Sequence, residues 1–188
     1  MIQNVLKLAN NRKFQWGFMI VLVGLITAQR LFVENEGYSH TLYNNYLIFQ
    51  ESFFHLLNNE DLYVAYPNSY YDLFKYSPSF ALFMGLTAHF PVWLGLFLWN
   101  LLNVAVLYAG MKKLKYNIQN GFVFAFLFVL IELITTTQNS QSNALIAGLI
   151  LLAFHSLENG KNRKSAWMLV STVFIKLFGL VAFVFYLF

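Results

Sequence analysis

Basic residues in this chain recur in three clusters, Lys7/Arg12/Lys13, Lys112/Lys113/Lys115 and Lys161/Arg163/Lys164, and each cluster abuts a long apolar stretch. Lysine and arginine beside apolar spans stay on the cytoplasmic side of a membrane, so the clusters restrict which stretches cross and in which direction. Five crossings satisfy them: residues 14–32, 93–111, 121–137, 143–157 and 165–188. The N-terminus is then cytoplasmic, and one large loop, residues 34–92, lies outside. A sixth crossing by the apolar segment Ser77 to Phe90 would carry Lys112, Lys113 and Lys115 to the outer face. That segment has 14 residues and is bracketed by Pro78 and Pro91. A span takes about 20 residues, so an interfacial or re-entrant helix suits it better.

With 59% hydrophobic residues and only 11% charged, the chain cannot cover the surface of a soluble domain of this size. The expected fold is all-α: a polytopic transmembrane helical bundle in the inner or plasma membrane, forming a single membrane domain over residues 1–188. A net charge of +4 could serve nucleic acid, but the basic residues sit at span ends rather than on one polar face, so no nucleic-acid partner is expected. The run Phe14 to Val33 is too long for a cleaved signal and reads as an anchor. The fifth span stops at Phe188 with no polar flank, so the chain reads as the N-terminal part of a longer protein. Without Cys, packing alone must hold the outer loop.

Within that loop, Tyr46, Phe49, Phe53, Phe54 and Leu57 recur mostly at three and four residues, which predicts an amphipathic helix lying along the membrane surface. Two ionisable residues lie inside spans, Glu132 and Lys176, each 11 residues from the start of its span and therefore roughly 16 Å above the inner surface. Equal depth permits an ion pair that fastens two helices. Alternatively, Lys176 lines an outward cavity and faces an anion such as a lipid-linked phosphate. Between spans three and four, Gln138-Asn139-Ser140-Gln141-Ser142-Asn143 is either a turn with a helix cap or a set of amides for a phosphate or sugar hydroxyls. Tyr70, Tyr71, Phe74 and Tyr76 form an aromatic belt, or a wall for a sugar ring or prenyl chain. The four histidines have no metal-ligand spacing, and neither metal nor cofactor is expected.

Taken in order, five features resemble the membrane glycosyltransferases of the GT-C class, specifically family 87, the polyprenyl-phosphate-mannose-dependent group also listed as DUF2029. They are Asn45-Tyr46-Leu47-Ile48-Phe49 through Asp61-Leu62-Tyr63, Lys75-Tyr76-Ser77-Pro78, Trp99-Asn100-Leu101-Leu102-Asn103, Gln141-Ser142-Asn143-Ala144-Leu145, and Lys176. The resemblance implies a hexosyltransferase that moves a sugar, mannose by analogy, from a polyprenyl-phosphate donor to an extracytoplasmic glycan or glycolipid acceptor with inversion. It implies that Lys176 meets the donor phosphate and that Gln141 and Asn143 make donor or sugar contacts, with Tyr76 in the wall between loop and membrane. The family motif begins with Asp where this chain has Asn45, and a neutral amide cannot accept a proton. Glu51 is the expected replacement base, with Asp61 and Asp72 the next candidates and Asn45 orienting the acceptor hydroxyl.

Two other classes compete. A transporter or lipid flippase would line its path with Glu132 and Lys176 and show broken spans, yet no Pro interrupts the five stretches. A non-catalytic membrane subunit is compatible with Asn45 at the motif position.

Overall fold

The computed structural model describes residues 2–34, 36–37 and 40–186, which contain helices and turns and no strand. A short helix, α1 (Ile2–Ala9), leads into α2 (Arg12–Phe32). Asn11 caps α2 by accepting hydrogen bonds from the amides of Lys13 and Phe14. The loop carries α3 (Asn44–Leu57) and α4 (Pro78–Ala88). Then come α5 (Val92–Met111), α6 (Gly121–Gln138), α7 (Asn143–Glu158), α8 (Asn162–Ile175) and a 3-10 helix, Leu177–Tyr186.

Three of these, α2, α5 and α6, have 21, 20 and 18 residues and are apolar enough to cross a bilayer, which makes this a membrane protein. On α6, Phe128 and Ile131 are 89% and 78% exposed, as expected of side chains that face lipid. α7 is apolar but has only 16 residues, which rise about 24 Å. The buried stripe of α2, Gln15, Met19, Val23, Ile26 and Thr27, keeps helical spacing and faces α5 and α6. α5 is the central helix, packed on α2, α4, α6 and α7. Its closest partner is α7, where the backbones meet: a Cβ on Gly148 would fall 2.5 Å from the Leu107 amide nitrogen, and one on Gly110 would fall 2.7 Å from the Gly148 carbonyl oxygen. Small residues permit such contact between helices in lipid, where no hydrophobic force draws helices together.

Aromatic packing holds the segment between α2 and α5. Phe49 makes edge-on contacts with Tyr76, Phe80 and Trp99, with ring centroids 5.0, 5.1 and 5.7 Å away. Each such pair contributes about 0.5–1.5 kcal/mol beyond area burial. α3 is therefore not the one-sided surface helix that its aromatic spacing predicts. Asn44, Tyr46, Ile48, Phe49, Gln50, Ser52, Phe53 and His55 are all buried, because α4 and the segment between the two helices wrap it.

Two further expectations fail here. Residues 165–188 do not run as one continuous span; residues 187–188 lie outside the described residues. α8 stops at Ile175, the backbone turns extended at Lys176 (φ −145°, ψ 140°), and the 3-10 helix folds back along α8. At the far end of this hairpin the Tyr186 hydroxyl donates to the Asn162 carbonyl at 3.1 Å. Gly179 makes the reversal possible, since a Cβ there would collide with the Thr172 side chain. Nor does Glu132 meet Lys176. α6 packs on α2 and α5, leaving Glu132 exposed, with its carboxylate accepting from Thr136 Oγ1 at 3.2 Å.

Candidate functional site

The break after α8 delivers Lys176 to the start of α7. Its Nζ donates to Asn143 Oδ1 at 3.0 Å, Asn143 Nδ2 donates to Gln141 Oε1 at 2.8 Å, and the ammonium stands 5.5 Å from the centroid of the Tyr76 ring. A hydrogen bond to a charged group contributes about 1.5–3 kcal/mol, and the aromatic face adds to it. Lys176 is thus half-buried beside neutral partners, and among the described residues no carboxylate pairs with it. Ser77 locks the arrangement from the loop side: it caps α4 by accepting from the Phe80 amide, and its hydroxyl donates to the Phe174 carbonyl at the end of α8. Burial pushes the Tyr76 phenol up to about 12, with the Ser142 hydroxyl nearby pulling the other way. Beside this cluster an apolar groove of about 400 Å³ runs between α4, α5, α7 and α8, lined by Phe80, Phe83, Leu102, Leu149, Phe174 and Ile175 among others.

The turn that carries Gln141 and Asn143 is held from below. Ser140 adopts a left-handed conformation (φ 52°), which costs a non-glycine residue about 1–2 kcal/mol. Trp99 Nε1 donates to the Ser140 carbonyl at 2.8 Å, and Asn103 Oδ1 accepts from the Leu145 amide at 3.1 Å. Both side chains are buried in α5. Trp99 and Asn103 belong to a motif that the sequence points to, but their work as anchors of the turn is not legible there. The available signal is that a buried amide in an apolar helix needs a partner.

The other half of the same turn builds a second, polar pocket. Asn139 accepts through its carbonyl from Asn45 Nδ2 at 2.8 Å, while Arg30 Nε donates to the Gln138 carbonyl at 2.8 Å. Arg30, His40, Thr41, Leu42, Asn44, Asn45 and Asn139 line a cavity of about 240 Å³. Asn139 and Asn143 are four residues apart, so their Cα atoms are separated by at most about 14 Å. Tyr76, Gln141, Asn143 and Lys176 therefore form one cluster, and Asn45 stands at the other end of the turn that supports it. Glu51 belongs to neither. It lies six residues beyond Asn45 and two beyond Phe49 on α3, so at about 100° per residue it points nearly opposite to Phe49, away from Tyr76. Its neighbour is Tyr70, whose phenol is pushed up to about 12 by burial first, and also by the charges of Tyr66 and Glu51. Arg30 and His40 are missed by the sequence reading, because Arg30 looks like a span-border residue and His40 has no motif around it.

A family model for glycosyltransferase family 87 matches residues 74–188, more than half of the chain. The chain belongs to glycosyltransferase family 87. Family membership makes it a membrane glycosyltransferase, with a sugar donor and an acceptor as its partners. The matched region contains Tyr76, Gln141, Asn143 and Lys176 together with Trp99 and Asn103. The Asn45 pocket is built mostly from residues before it. No curated protein and no solved structure gives a match.

Proposed function

We propose that this family 87 protein transfers a hexose, mannose in our reading, from a polyprenyl-phosphate donor to a glycan or glycolipid acceptor at the extracytoplasmic face, as a multi-pass protein of the plasma membrane. One observation carries the donor assignment: a lysine ammonium held by neutral amides stands next to an apolar groove between helices. A lipid phosphate has that chemistry, with an anionic head to meet Lys176, Gln141 and Asn143 and a hydrocarbon tail for the groove. Tyr76 forms the wall between them.

In the transfer, the acceptor oxygen bonds to the anomeric carbon while the bond from that carbon to the phosphate oxygen breaks. The electron pair leaves on the polyprenyl phosphate. Charge develops on the departing oxygen, and a donor fixed in place beforehand stabilises it without reorganisation. Lys176 is fixed in this way by Asn143 and by the turn beneath it. Asn45 orients the acceptor hydroxyl from the other end of the turn.

The test is transfer from radiolabelled polyprenyl-phosphate mannose in proteoliposomes holding the full-length protein, with glycolipid extracted from the cells that produce it as acceptor. Loss of one such donor costs about 10²–10³ in turnover, and Lys176→Ala is expected to fall by that factor while remaining folded by thermal-shift assay. Turnover within threefold of wild type would remove Lys176 from the donor site.

A further inference from the structure

The end of the bundle opposite the Lys176 cluster carries a second pairing of hydrocarbon with fixed cations. Gln138 ends α6 at the turn that bears Gln141 and Asn143, whereas Phe122 stands at the other end of this 18-residue helix, about 24 Å away. There α2 begins, α5 ends and α6 begins. The Tyr108 hydroxyl donates to Gln15 Oε1 at 2.7 Å, Gln15 Nε2 donates to the Ala9 carbonyl at 2.7 Å, and Asn10 Nδ2 donates to Asn120 Oδ1 at 2.6 Å, so all three helices are tied together. These bonds frame an apolar cavity of about 190 Å³ lined by Phe18, Met19, Tyr108, Phe122, Val123 and Leu127 among others. Phe18 and Leu127 are exposed, so the cavity opens sideways toward lipid. A space with hydrocarbon walls does not take up water, and it suits an acyl chain.

Lys112 stands at the wall of this cavity. Its Nζ is 4.0 Å from the centroid of the Phe122 ring and 5.8 Å from that of Tyr108, both of them lining residues. An aromatic face attracts an ammonium without neutralising it. Arg12 opens the turn of α2 that carries Gln15, and its charge reaches Lys112: the ammonium is held below the usual lysine range by partial desolvation first, and then by the guanidinium. Two cations brought this close disfavour each other, and a shared anion reverses that. Residues 1–33 and 73–131, which build this end, contain no Asp or Glu, whereas they supply Lys7, Arg12, Lys13, Lys112, Lys113 and Lys115. We propose that the cavity between α2, α5 and α6 is a binding site for an anionic phospholipid, with an acyl chain in the cavity and the phosphodiester at Lys112 and Arg12. The inference does not rest on the glycosyltransferase reading. In the proposed topology the lipid belongs to the cytoplasmic leaflet, whose anionic headgroups attract basic segments beside helix ends. Bound there, it bridges α2 to α6 across the cavity.

The experiment titrates the purified full-length protein in detergent with phosphatidylglycerol or phosphatidylcholine of identical acyl chains, and counts bound lipid by native mass spectrometry. Each basic side chain near an anionic headgroup contributes a factor of about five in affinity. Wild type is therefore expected to hold phosphatidylglycerol about 25-fold tighter than phosphatidylcholine at one site. Lys112→Gln is expected to lose about fivefold, and Arg12→Gln combined with Lys112→Gln about 25-fold, while Lys112→Arg binds as wild type does. Lys113→Gln removes the same charge from the next position and is expected to leave the affinity unchanged. Val123→Phe puts a ring into the cavity and is expected to displace the lipid with every cation in place. The comparison of Lys112→Gln with Lys113→Gln decides the matter even where Val123→Phe does not fold. Equal affinity for the two lipids overturns the proposal. So does an equal loss in Lys112→Gln and Lys113→Gln, which would mean diffuse attraction, or undiminished binding by a folded Val123→Phe. Competition by glycerol phosphate at the lipid's own concentration would assign the cations to a soluble phosphate, and a tighter hold on polyprenyl phosphate would assign them to the sugar donor; either result overturns the proposal as well.

Discussion

Lys176 was the most legible functional candidate because an ammonium among apolar residues is costly, about 2.5–3.5 kcal/mol at a bilayer centre, and must find a partner. The sequence could not say which partner. Equal depth pointed to Glu132, whereas the structure gives Asn143, since the helix ends one residue before Lys176. Glu51 is the reverse case, where the sequence supplies a carboxylate and its angular position on α3 places it nearly opposite Phe49. The same residue-level packing has a consequence at high pH. Burial pushes the phenols of Tyr46, Tyr70 and Tyr76 each up to about 12. Unfolded tyrosine titrates near 10, so between about pH 10 and 12 the folded state holds more protons than the unfolded one. Stability is then fully present below about pH 10 and is lost as pH rises through the folded values. Thermal melts of the detergent-solubilised protein are expected to decline from about pH 10 upward, and Tyr76→Phe should decline less steeply. A flat melting temperature over that range would show that these phenols are not buried as described.

Helix existence follows closely from the apolar runs. Expected spans 93–111, 121–137 and 143–157 become Val92–Met111, Gly121–Gln138 and Asn143–Glu158, because prolines, glycines and polar turns mark the ends. The element missed is the last. Hydropathy reports that residues 165–188 are apolar but carries no information on whether they continue or double back. That choice depends on Gly179 meeting Thr172 without a side chain between them. Glycine also sets the α5–α7 contact, which gives a paired prediction. Gly148→Val must push its side chain into the α5 backbone, and overpacking costs about 1–3 kcal/mol or more. Gly24→Ala on α2 meets nothing within 4 Å and gains helix propensity of about 1 kcal/mol. Melting temperature is expected to fall for the first and hold or rise for the second. Equal behaviour of the two would mean that α5 and α7 do not touch at Gly148.

At the scale of the whole molecule, the turn from Gln138 to Asn143 joins the Lys176 cluster at one end to the polar Asn45 pocket at the other, and the proposed transfer requires both to open to the same side of the membrane. That common side is a consequence of topology, which the charge clusters imply but which helix lengths alone do not decide. The chain contains no cysteine, so single introduced thiols report position without background. With the loop outside, Asn68→Cys is expected to react with an impermeant maleimide in intact cells, while Lys113→Cys reacts only after the membrane is opened. The terminal hairpin adds a sharper distinction. In a continuous helix, residues 162 and 186 would lie about 36 Å apart and on opposite sides of the bilayer. In the hairpin the Tyr186 hydroxyl reaches the Asn162 carbonyl, so both share one side of the membrane, the cytoplasmic side in the proposed topology. A protein carrying Asn162→Cys and Tyr186→Cys is therefore expected to be bridged by a short bifunctional maleimide, with neither thiol labelled from outside. Outside labelling at position 186 without cross-linking would mean that the chain crosses once after Lys176. The ammonium would then sit at mid-membrane depth, away from Asn143, and the donor site would lose its geometry.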